Sequence, residues 1–374
     1  MAQPLQPSPI PSEDAIRKIL VDRIDALHQS VGIVVAIVSA QGRRVVASGK
    51  LEKGDPRPLD GDTIFEIGSL TKVFTSLLLA AMVHHGEVSL DDPISKYLPS
   101  TVKVPHRNGR SITLIDLSTH TSGLPRLPTN MAPKDPANPY ADYSVAQLYE
   151  FLSGYQLTRD IGLEYEYSNL GGGLLGHALA LRAGMDYEEL VKSRICTPLG
   201  MSSTAITLTP AMKARFATGH NADLTSAENW DLPTLAGAGA LRSSANDILK
   251  FLSANLGQTK SPLAPAMASM LAVRRPTNIP TMQIALGWRV TTRDGREIAW
   301  HNGLTGGYRS YMGYDGNAGV GVVVLSNASP VVGMYFGVGI SIDDIGEHLL
   351  DPGVPLRQPP PHKLSVVQPK IFNG

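Results

Sequence analysis

The hydrophobic pattern of the first fifty residues changes from a helical to a strand period. Residues 12–28 carry apolar side chains at helical spacing behind the capping sequence Ser12-Glu13-Asp14, namely Ile16, Leu20, Ile24 and Leu27. Two strand-like runs follow, Gly32–Ser39 and Arg44–Ser48, with Gln41-Gly42 between them as a turn. The start of the chain therefore predicts one amphipathic helix followed by a β-hairpin.

Strand-like alternation returns beyond residue 280. Four runs form two further hairpins, each around a glycine-containing turn: Ile284–Thr291 with Glu297–Trp300, and Arg309–Tyr314 with Gly319–Ser326. A helical pattern over Val338–Leu350 closes this part. Strands at both ends of the chain predict one antiparallel sheet flanked by helices, assembled from both ends.

The middle of the chain is helical in pattern. Helices are predicted over Val145–Leu152 and Gly172–Leu181, and from Ser244 onward, where Asp247 completes a capping box. Pro125–Pro139 is rich in Pro and Asn and predicts a loop.

These patterns predict an α+β fold with two domains. Residues 13–80 and 282–351 form an α/β domain, and residues 81–281 form an inserted, mostly helical domain. Residues 352–374 form a Pro-rich tail that resembles the start of a further small β-domain, as in a truncated chain.

Composition excludes several classes of protein. The 374 residues are 43% hydrophobic, which is enough for a sizeable core, and 33 basic residues balance 33 acidic ones. Without a basic excess there is no support for nucleic-acid binding. The single cysteine, Cys196, excludes an intrachain disulfide and a thiolate zinc site. No run approaches the ~18 apolar residues of a membrane span.

The first twelve residues lack the basic start and apolar stretch of a signal peptide. Their Pro-rich composition is typical of a linker that follows a cleaved signal. We expect an exported mature protein, periplasmic or secreted, with a cytoplasmic location as the alternative. The sequence indicates no oligomeric state.

The most informative segment is Gly68-Ser69-Leu70-Thr71-Lys72, which opens a strongly apolar helix. At a helix N-terminus, free N–H groups and the dipole favour negative charge at Ser69. Lys72 lies three residues on, on the same helix face. A buried lysine has a lowered pKa and can accept a hydroxyl proton, so this pair is a candidate nucleophile and base. The structural alternative is that Ser69 only caps the helix and that Lys72 is a solvated surface lysine.

A second Ser-x-x-Lys, Ser100–Lys103, lies between two prolines with no apolar helix behind it. We therefore expect no chemistry there.

Two further segments add polar groups. Tyr167-Ser168-Asn169 precedes a glycine run, and beside a cation such as Lys72 its phenol can exchange protons. An asparagine amide can hold both a lysine and a substrate amide. The alternative is a polar loop before a helix. The glycine run matches a dinucleotide fingerprint, but no buried strand precedes it, so we reject that interpretation.

The third segment is His301-Asn302-Gly303-Leu304, followed by a glycine-rich turn and Arg309. Gly303 would let a substrate backbone approach, and the next N–H could complete an oxyanion hole. The alternative for His301 is an ordinary histidine at a sheet edge.

In this order and context, the three segments resemble the Ser-x-x-Lys, Tyr-x-Asn and Lys-Thr-Gly motifs of the serine β-lactamase and penicillin-binding-protein superfamily. The likeness is to the class C branch, which also holds DD-peptidases and family VIII carboxylesterases, and it covers about residues 14–350. It implies a β-lactamase/transpeptidase-like fold with no metal and no cofactor.

The resemblance also implies roles. Ser69 is the nucleophile, Lys72 its proton partner and Tyr167 the general acid/base. The backbone N–H groups of Ser69 and Leu304 form the oxyanion hole. The substrate-binding residues are Asn169, His301, Asn302, Gly303, Leu304 and Arg309. Ser69 is acylated and the ester is then hydrolysed by water.

One departure from the family pattern matters. Class C β-lactamases use the lysine of the third motif to support the tyrosine and bind the substrate carboxylate, whereas this chain has His301 there. With an ordinary pKa, histidine is mostly neutral at pH 7 and becomes charged towards about pH 6. We therefore expect weak binding of anionic β-lactams that improves as the pH falls, with Arg309 as a rival anion partner.

Three functions remain open at this point. The first is hydrolysis of β-lactam or D-peptide amide bonds, and the second is a carboxylesterase of family VIII type on short-chain esters. The third, a non-catalytic binder of cell-wall peptides, is disfavoured because a binder would not need Ser69, Lys72 and Tyr167 together. In each case the partner is a small molecule or peptide.

Overall fold

The computed structural model describes residues 10–329 and 342–357. Its helices are α1 Glu13–Val21, α2 Thr71–His84, α3 Leu114–Ser118, α4 Val145–Gly154, α5 Asn169–Ala183, α6 Tyr187–Val191, α7 Thr197–Leu199, α8 Pro210–Lys213, α9 Ala236–Gly239, α10 Ala245–Asn255, α11 Ala264–Met270 and α12 Asp343–Leu350. Its strands are β1 Gly32–Ser39, β2 Gly42–Gly49, β3 Ile64–Glu66, β4 His106–Arg107, β5 Arg110–Ser111, β6 Arg242–Ser244, β7 Arg275–Pro276, β8 Met282–Ile284, β9 Arg289–Arg293, β10 Arg296–Leu304, β11 Arg309–Asp315 and β12 Val320–Ser326.

Within the described residues, eight strands form one antiparallel sheet in the order β2-β1-β12-β11-β10-β9-β8-β7. β1, from the beginning of the chain, pairs with β12, where Ile33 lies opposite Ser326. The predicted antiparallel sheet flanked by helices is thus confirmed. Two short pairs lie outside it, β3 with β6 and β4 with β5, and neither was predicted.

β1 is buried along its whole length because helices cover both faces of the sheet. Successive side chains of a strand point to opposite faces. Ile33, Val35 and Ile37 pack with the apolar side chains of α1 and α12. Val34, Ala36 and Val38 belong to the larger core that includes α2 and α10. This two-sided burial explains why β1 is continuously apolar.

The predicted strand Ile284–Thr291 is interrupted in the structure. β8 ends at Ile284 and β9 begins at Arg289. Between them Gly287 adopts φ +70°, and a Cβ built on it would lie 2.6 Å from Ser76 Oγ on α2. The bend at Gly287 therefore lies against α2, and it sets the position of Arg289 at the start of β9.

The third segment also differs from its prediction. His301, Asn302, Gly303 and Leu304 lie within β10, which is longer than the predicted run Glu297–Trp300. The glycine-rich turn begins only after Leu304.

Most predicted helices are present with shifted ends. The first, predicted over residues 12–28, is α1 followed by a wider helical turn, Asp22–Ala26. The Ser244 side chain caps α10 by accepting from Asp247 N at 3.3 Å. The reciprocal half of that capping box is absent, because the Asp247 carboxylate accepts from Ser203 N instead, at 2.6 Å.

The last helix begins at Asp343. The part of its predicted range before residue 342 lies outside the described residues, as does the tail beyond residue 357. Pro125–Pro139 contains neither helix nor strand, as predicted.

The division into two domains stays a prediction. α10 falls within the segment assigned to the inserted domain, yet it packs on β1 and β12 of the sheet. Across residues 10–329 and 342–357, we find no helix long and apolar enough to span a membrane.

Candidate active site

Ser69 lies between the start of α2 and strand β10. β3 ends at Glu66, and the helical turn Gly68–Leu70 leads directly into α2. Gly68 has φ +48°, and a Cβ on it would lie 2.7 Å from the backbone N of Leu304. Only glycine allows this close approach, so the sequence brings the Ser69 turn and β10 into contact.

Lys72 lies one turn further along α2, with 2% of its surface exposed. Its Nζ lies 3.0 Å from Ser69 Oγ, 2.8 Å from Asn169 Oδ1 and 2.7 Å from the carbonyl O of Ala238. A neutral amine has two N–H donors and one lone pair. The two carbonyl oxygens can only accept, so they take the two donors and leave the lone pair for the Ser69 hydroxyl.

The electrostatic environment favours that neutral form. Burial lowers the pKa of Lys72 well below its usual value, and the charges of Arg126 and Arg289 lower it further. Lys72 is therefore suited to accept the Ser69 proton.

The Tyr167-Ser168-Asn169 segment runs into the N-terminus of α5. Ser168 caps this helix through Gly171 N at 2.8 Å. The amide of Asn169 is fixed at both ends, since Oδ1 accepts from Lys72 and Nδ2 donates to the Tyr140 hydroxyl at 2.9 Å. Its carbonyl end thus holds Lys72, and its role as a contact for a substrate amide stays a prediction.

Tyr167 lies beside both residues of the first motif. Its phenol is hydrogen-bonded with the Ser69 hydroxyl. Lys72 Nζ lies 4.8 Å from the centroid of its ring. Burial raises the pKa of Tyr167, while Arg289, the hydrogen bond with Ser69 and Arg126 act in the opposite direction.

His301 is 1% exposed, and its ring centroid lies 6.2 Å from that of Tyr167. Its Nδ1 lies 2.7 Å from the carbonyl O of Asn302, so Nδ1 must carry the proton in this hydrogen bond. Burial lowers the pKa of His301 well below its usual value, and Arg289 and Lys72 add to the effect. This direction opposes the expectation that His301 becomes charged towards pH 6, because burial and the nearby Arg289 guanidinium both disfavour the imidazolium form.

Asn302 and Arg309 both form hydrogen bonds with Asp343, the first residue of α12. Asn302 Oδ1 accepts from Arg289 at 2.6 Å, and its Nδ2 donates to Asp343 Oδ2 at 2.7 Å. The Arg309 guanidinium donates to the same carboxylate oxygen at 3.1 Å. Arg309 thus forms an ion pair with α12, and Arg289 is the arginine that contacts both Tyr167 and the third motif.

Gly303 brings β10 against the residue that precedes the Ser69 turn. A Cβ at this position would lie 2.1 Å from the carbonyl O of Ile67. Ser310 Oγ on β11 donates to the same oxygen at 2.8 Å. These contacts fix the backbone of Leu304 beside Ser69, where two N–H groups are expected to form the oxyanion hole.

Three further segments of the sequence carry reactive side-chain types that we do not place in the proton transfer. Ser100 and Lys103 are both exposed, whereas Ser69 is half-buried and Lys72 is buried. Cys196 is buried, and burial raises the pKa of its thiol to about 12. His120 accepts from Ser168 N at 3.2 Å, so it supports the tyrosine loop.

Sequence reasoning missed four residues of the site: Arg126, Tyr140, Ala238 and Arg289. Arg126 lies in the stretch predicted only as a loop, and Tyr140 directly follows that stretch. Ala238 takes part through its carbonyl oxygen. Arg289 directly follows Leu286-Gly287-Trp288, and its importance depends on the bend at Gly287. Within the described part of the chain, no group of His, Cys, Asp or Glu side chains could hold a metal ion.

Comparison with known proteins agrees with this fold. The Beta-lactamase family profile matches residues 20–336. The D-alanyl-D-alanine-carboxypeptidase/endopeptidase AmpH of Escherichia coli (strain K12) is 31% identical over 320 residues, covering 81% of this chain and 80% of that protein.

Solved structures of two proteins have the same fold as this chain. A class C β-lactamase from Rhodobacter sphaeroides superposes with a TM-score of 0.72 at 26% identity, covering 84% of this chain and 94% of that one. A β-lactamase/D-alanine carboxypeptidase from Yersinia pestis superposes with a TM-score of 0.75 at 25% identity, covering 85% of this chain and 93% of the other.

The fold and the comparisons define the class of protein as a serine hydrolase. The chain belongs to the Beta-lactamase family, on its class C branch.

Proposed function

We propose that this protein hydrolyses amide bonds of β-lactams or D-peptides through an acyl-Ser69 intermediate. The observation that carries the proposal is the arrangement around Lys72, which has two carbonyl acceptors for its N–H groups and the Ser69 hydroxyl at 3.0 Å for its lone pair. The relatives named as carboxypeptidases and β-lactamases support the choice of amide substrates.

The reaction proceeds in two proton-balanced steps. As Ser69 Oγ bonds to the substrate carbonyl carbon, its proton moves to Lys72 Nζ, and the carbonyl oxygen takes up negative charge beside the N–H groups of Ser69 and Leu304. Tyr167 then gives its proton to the leaving nitrogen as the C–N bond breaks, and Lys72 returns a proton to the phenolate oxygen. Water reverses the sequence on the acyl-Ser69 ester.

A carboxylesterase activity is a second candidate, supported by the burial of His301, which lowers its pKa and disfavours a cation in the third motif. Without a cation from the third motif, recognition of a substrate carboxylate at that position is lost, whereas neutral esters do not need it. The same Ser69 and Lys72 would carry out both reactions.

The experiment compares Ser69→Ala with a matched control, Ser100→Ala, in the exposed second Ser-x-x-Lys. Nitrocefin, a peptide ending in D-Ala-D-Ala and p-nitrophenyl butyrate are assayed side by side. We expect Ser69→Ala to lower kcat on the order of 10⁴-fold or more, and Ser100→Ala to leave it unchanged.

Labelling identifies the nucleophile directly. A fluorophosphonate adduct is expected on Ser69 by mass spectrometry. An adduct on another residue, or a Ser69→Ala protein that keeps more than about a tenth of wild-type kcat, would contradict the assignment. Preference among the three substrates then decides between amide hydrolase and esterase.

A further inference from the structure

Two arginines and the lysine of the first motif surround the ring of Tyr167. Arg126 Cζ lies 5.2 Å and Arg289 Cζ 5.3 Å from the ring centroid, and Lys72 Nζ lies 4.8 Å from it. Lys72 is suited to the neutral form, whereas a guanidinium stays charged at every physiological pH. The fixed positive charges beside Tyr167 are therefore arginines.

Arg289 is held by contacts from several side chains. Its guanidinium also lies 5.0 Å from the ring centroid of Trp300, opposite it in the β9–β10 pair, so two aromatic rings flank one cation. Its NH1 donates to Asn302 Oδ1, and Asn302 is fixed in turn by Asp343. The position of Arg289 is thus set by the third motif itself.

The other ionisable groups facing Tyr167 do not supply a comparable charge. His120 and His301 have ring centroids 4.6 Å and 6.2 Å from that of Tyr167, and burial lowers the pKa of both imidazoles well below the usual value. Tyr140 and Tyr165 are neighbouring phenols, and burial raises the pKa of each. Neutral imidazoles and phenols leave the charge to Arg289 and Arg126.

We propose that Arg289 is the positioning residue that replaces the third-motif lysine: its fixed charge keeps Lys72 neutral and stabilises negative charge on the Tyr167 oxygen during proton transfer. Removing the charge at about 5 Å makes both a protonated Lys72 and a neutral Tyr167 easier to form. The pH at which Ser69 becomes reactive then rises. This inference rests on the proposed function, because it assigns a role within the same proton transfer.

The test follows the rate at which a fluorophosphonate labels Ser69 as a function of pH, by intact mass. Its variants are Arg289→Gln, Arg289→Lys and the control Arg293→Gln, an exposed arginine at the other end of β9. We expect the midpoint of the pH profile to rise by about one unit in Arg289→Gln, and to stay near the wild-type value in Arg289→Lys and in the control.

A second measurement shows whether Arg289 acts through Tyr167. It compares kcat/KM of Arg289→Gln, Tyr167→Phe and the double variant on whichever of nitrocefin and p-nitrophenyl butyrate is turned over. We expect Arg289→Gln to lose about 10- to 100-fold by itself and several-fold less in the Tyr167→Phe background, where only its effect on Lys72 remains. Equal losses in both backgrounds would mean that Arg289 does not act through Tyr167.

The outcomes distinguish a failure of the proposed function from a failure of the role given to Arg289. Wild-type protein that is not labelled at Ser69 contradicts the proposed function. Labelled protein in which the midpoint of Arg289→Gln is unchanged overturns only the role of Arg289. If Arg289→Gln does not fold, Arg289→Met, which keeps a long side chain without the charge, takes its place, and an unshifted midpoint there also overturns the role of Arg289.

Discussion

At the residue scale, the site depends on groups whose ionisation is set by burial. Lys72 and His301 are both nearly inaccessible to solvent, and in each case burial is the largest cause of a lowered pKa. An imidazole that cannot become charged does not serve as a carboxylate-binding group. The chemical character of the third motif therefore differs from that of the lysine-containing class C enzymes.

This neutrality predicts how binding of anionic substrates responds to pH. We expect the ratio of KM values for mono-p-nitrophenyl succinate and p-nitrophenyl butyrate to stay constant within about twofold between about pH 6 and 8, because His301 remains neutral throughout. The measurement is initial-rate kinetics for both esters in one buffer series. His301→Gln, which cannot titrate, is the control and should give the same flat ratio. A ratio that falls several-fold towards pH 6 in wild type alone would show that His301 does become charged.

At the scale of elements, catalytic geometry depends on how closely β10 approaches the turn before α2. Gly68 lies in the turn before α2 and faces β10, while Gly303 lies in β10 and faces that turn. A Cβ on either glycine would overlap backbone atoms of the other segment. Because backbone atoms cannot move aside as the end of a flexible side chain can, these two glycines fix the distance between Ser69 and Leu304.

Gly303→Ala tests this dependence. Its Cβ would lie 2.1 Å from Ile67 O and 2.3 Å from Ser310 Oγ, so β10 must move away from the Ser69 turn. We expect kcat/KM to fall by about 100-fold or more through loss of the oxyanion hole, and the free energy of unfolding to fall by about 1–3 kcal/mol. Steady-state kinetics and denaturant unfolding measure the two effects.

Gly316→Ala, in the turn between β11 and β12, is the matched control, since a Cβ there has no atom within 4 Å. It should leave both quantities nearly unchanged. Equal activity of the Gly303 and Gly316 variants would mean that β10 does not form the oxyanion hole.

At the scale of the whole molecule, a buried ion pair joins the helical turn after α1 to α12, two segments that are far apart in the sequence. Arg23, just after α1, donates to Asp344 on α12 at 2.6 Å, and the exposed fractions of the two side chains are 3% and 0%. Asp344 also accepts from the backbone N of Arg357 at 2.7 Å. These contacts hold α1 and α12 together on the face of the sheet opposite α2.

Breaking this pair should destabilise the whole fold. We expect Arg23→Met to lower the free energy of unfolding by about 3–5 kcal/mol, because it leaves the Asp344 carboxylate buried without its cation. Equilibrium unfolding in urea measures the change. The double variant Arg23→Met/Asp344→Leu should recover a substantial part of the loss. If the double variant is no more stable than the single one, the loss has a cause other than the unpaired carboxylate.

The sequence by itself determined the elements whose signals are local and the chemically informative segments. Periodicity predicted β1, the hairpin to β2 and the helix α1, since these signals are local. Residue order alone pointed to Ser69, Lys72 and Tyr167, because Ser-x-x-Lys at the start of an apolar helix is a short-range pattern. In the folded chain Lys72 Nζ lies 3.0 Å from Ser69 Oγ and 4.8 Å from the centroid of the Tyr167 ring, and the catalytic roles of the three residues stay predictions.

Tertiary structure decided what depends on packing between distant segments. The neutral state of His301 follows from its burial beside Arg289 and Lys72, which no local pattern encodes. The place of Arg289 follows from the bend at Gly287 against α2, and the engagement of Arg309 from its ion pair with Asp343 on α12. Burial and electrostatic interaction depend on distances in space, so the sequence could name the reacting groups while only the folded chain set their charges.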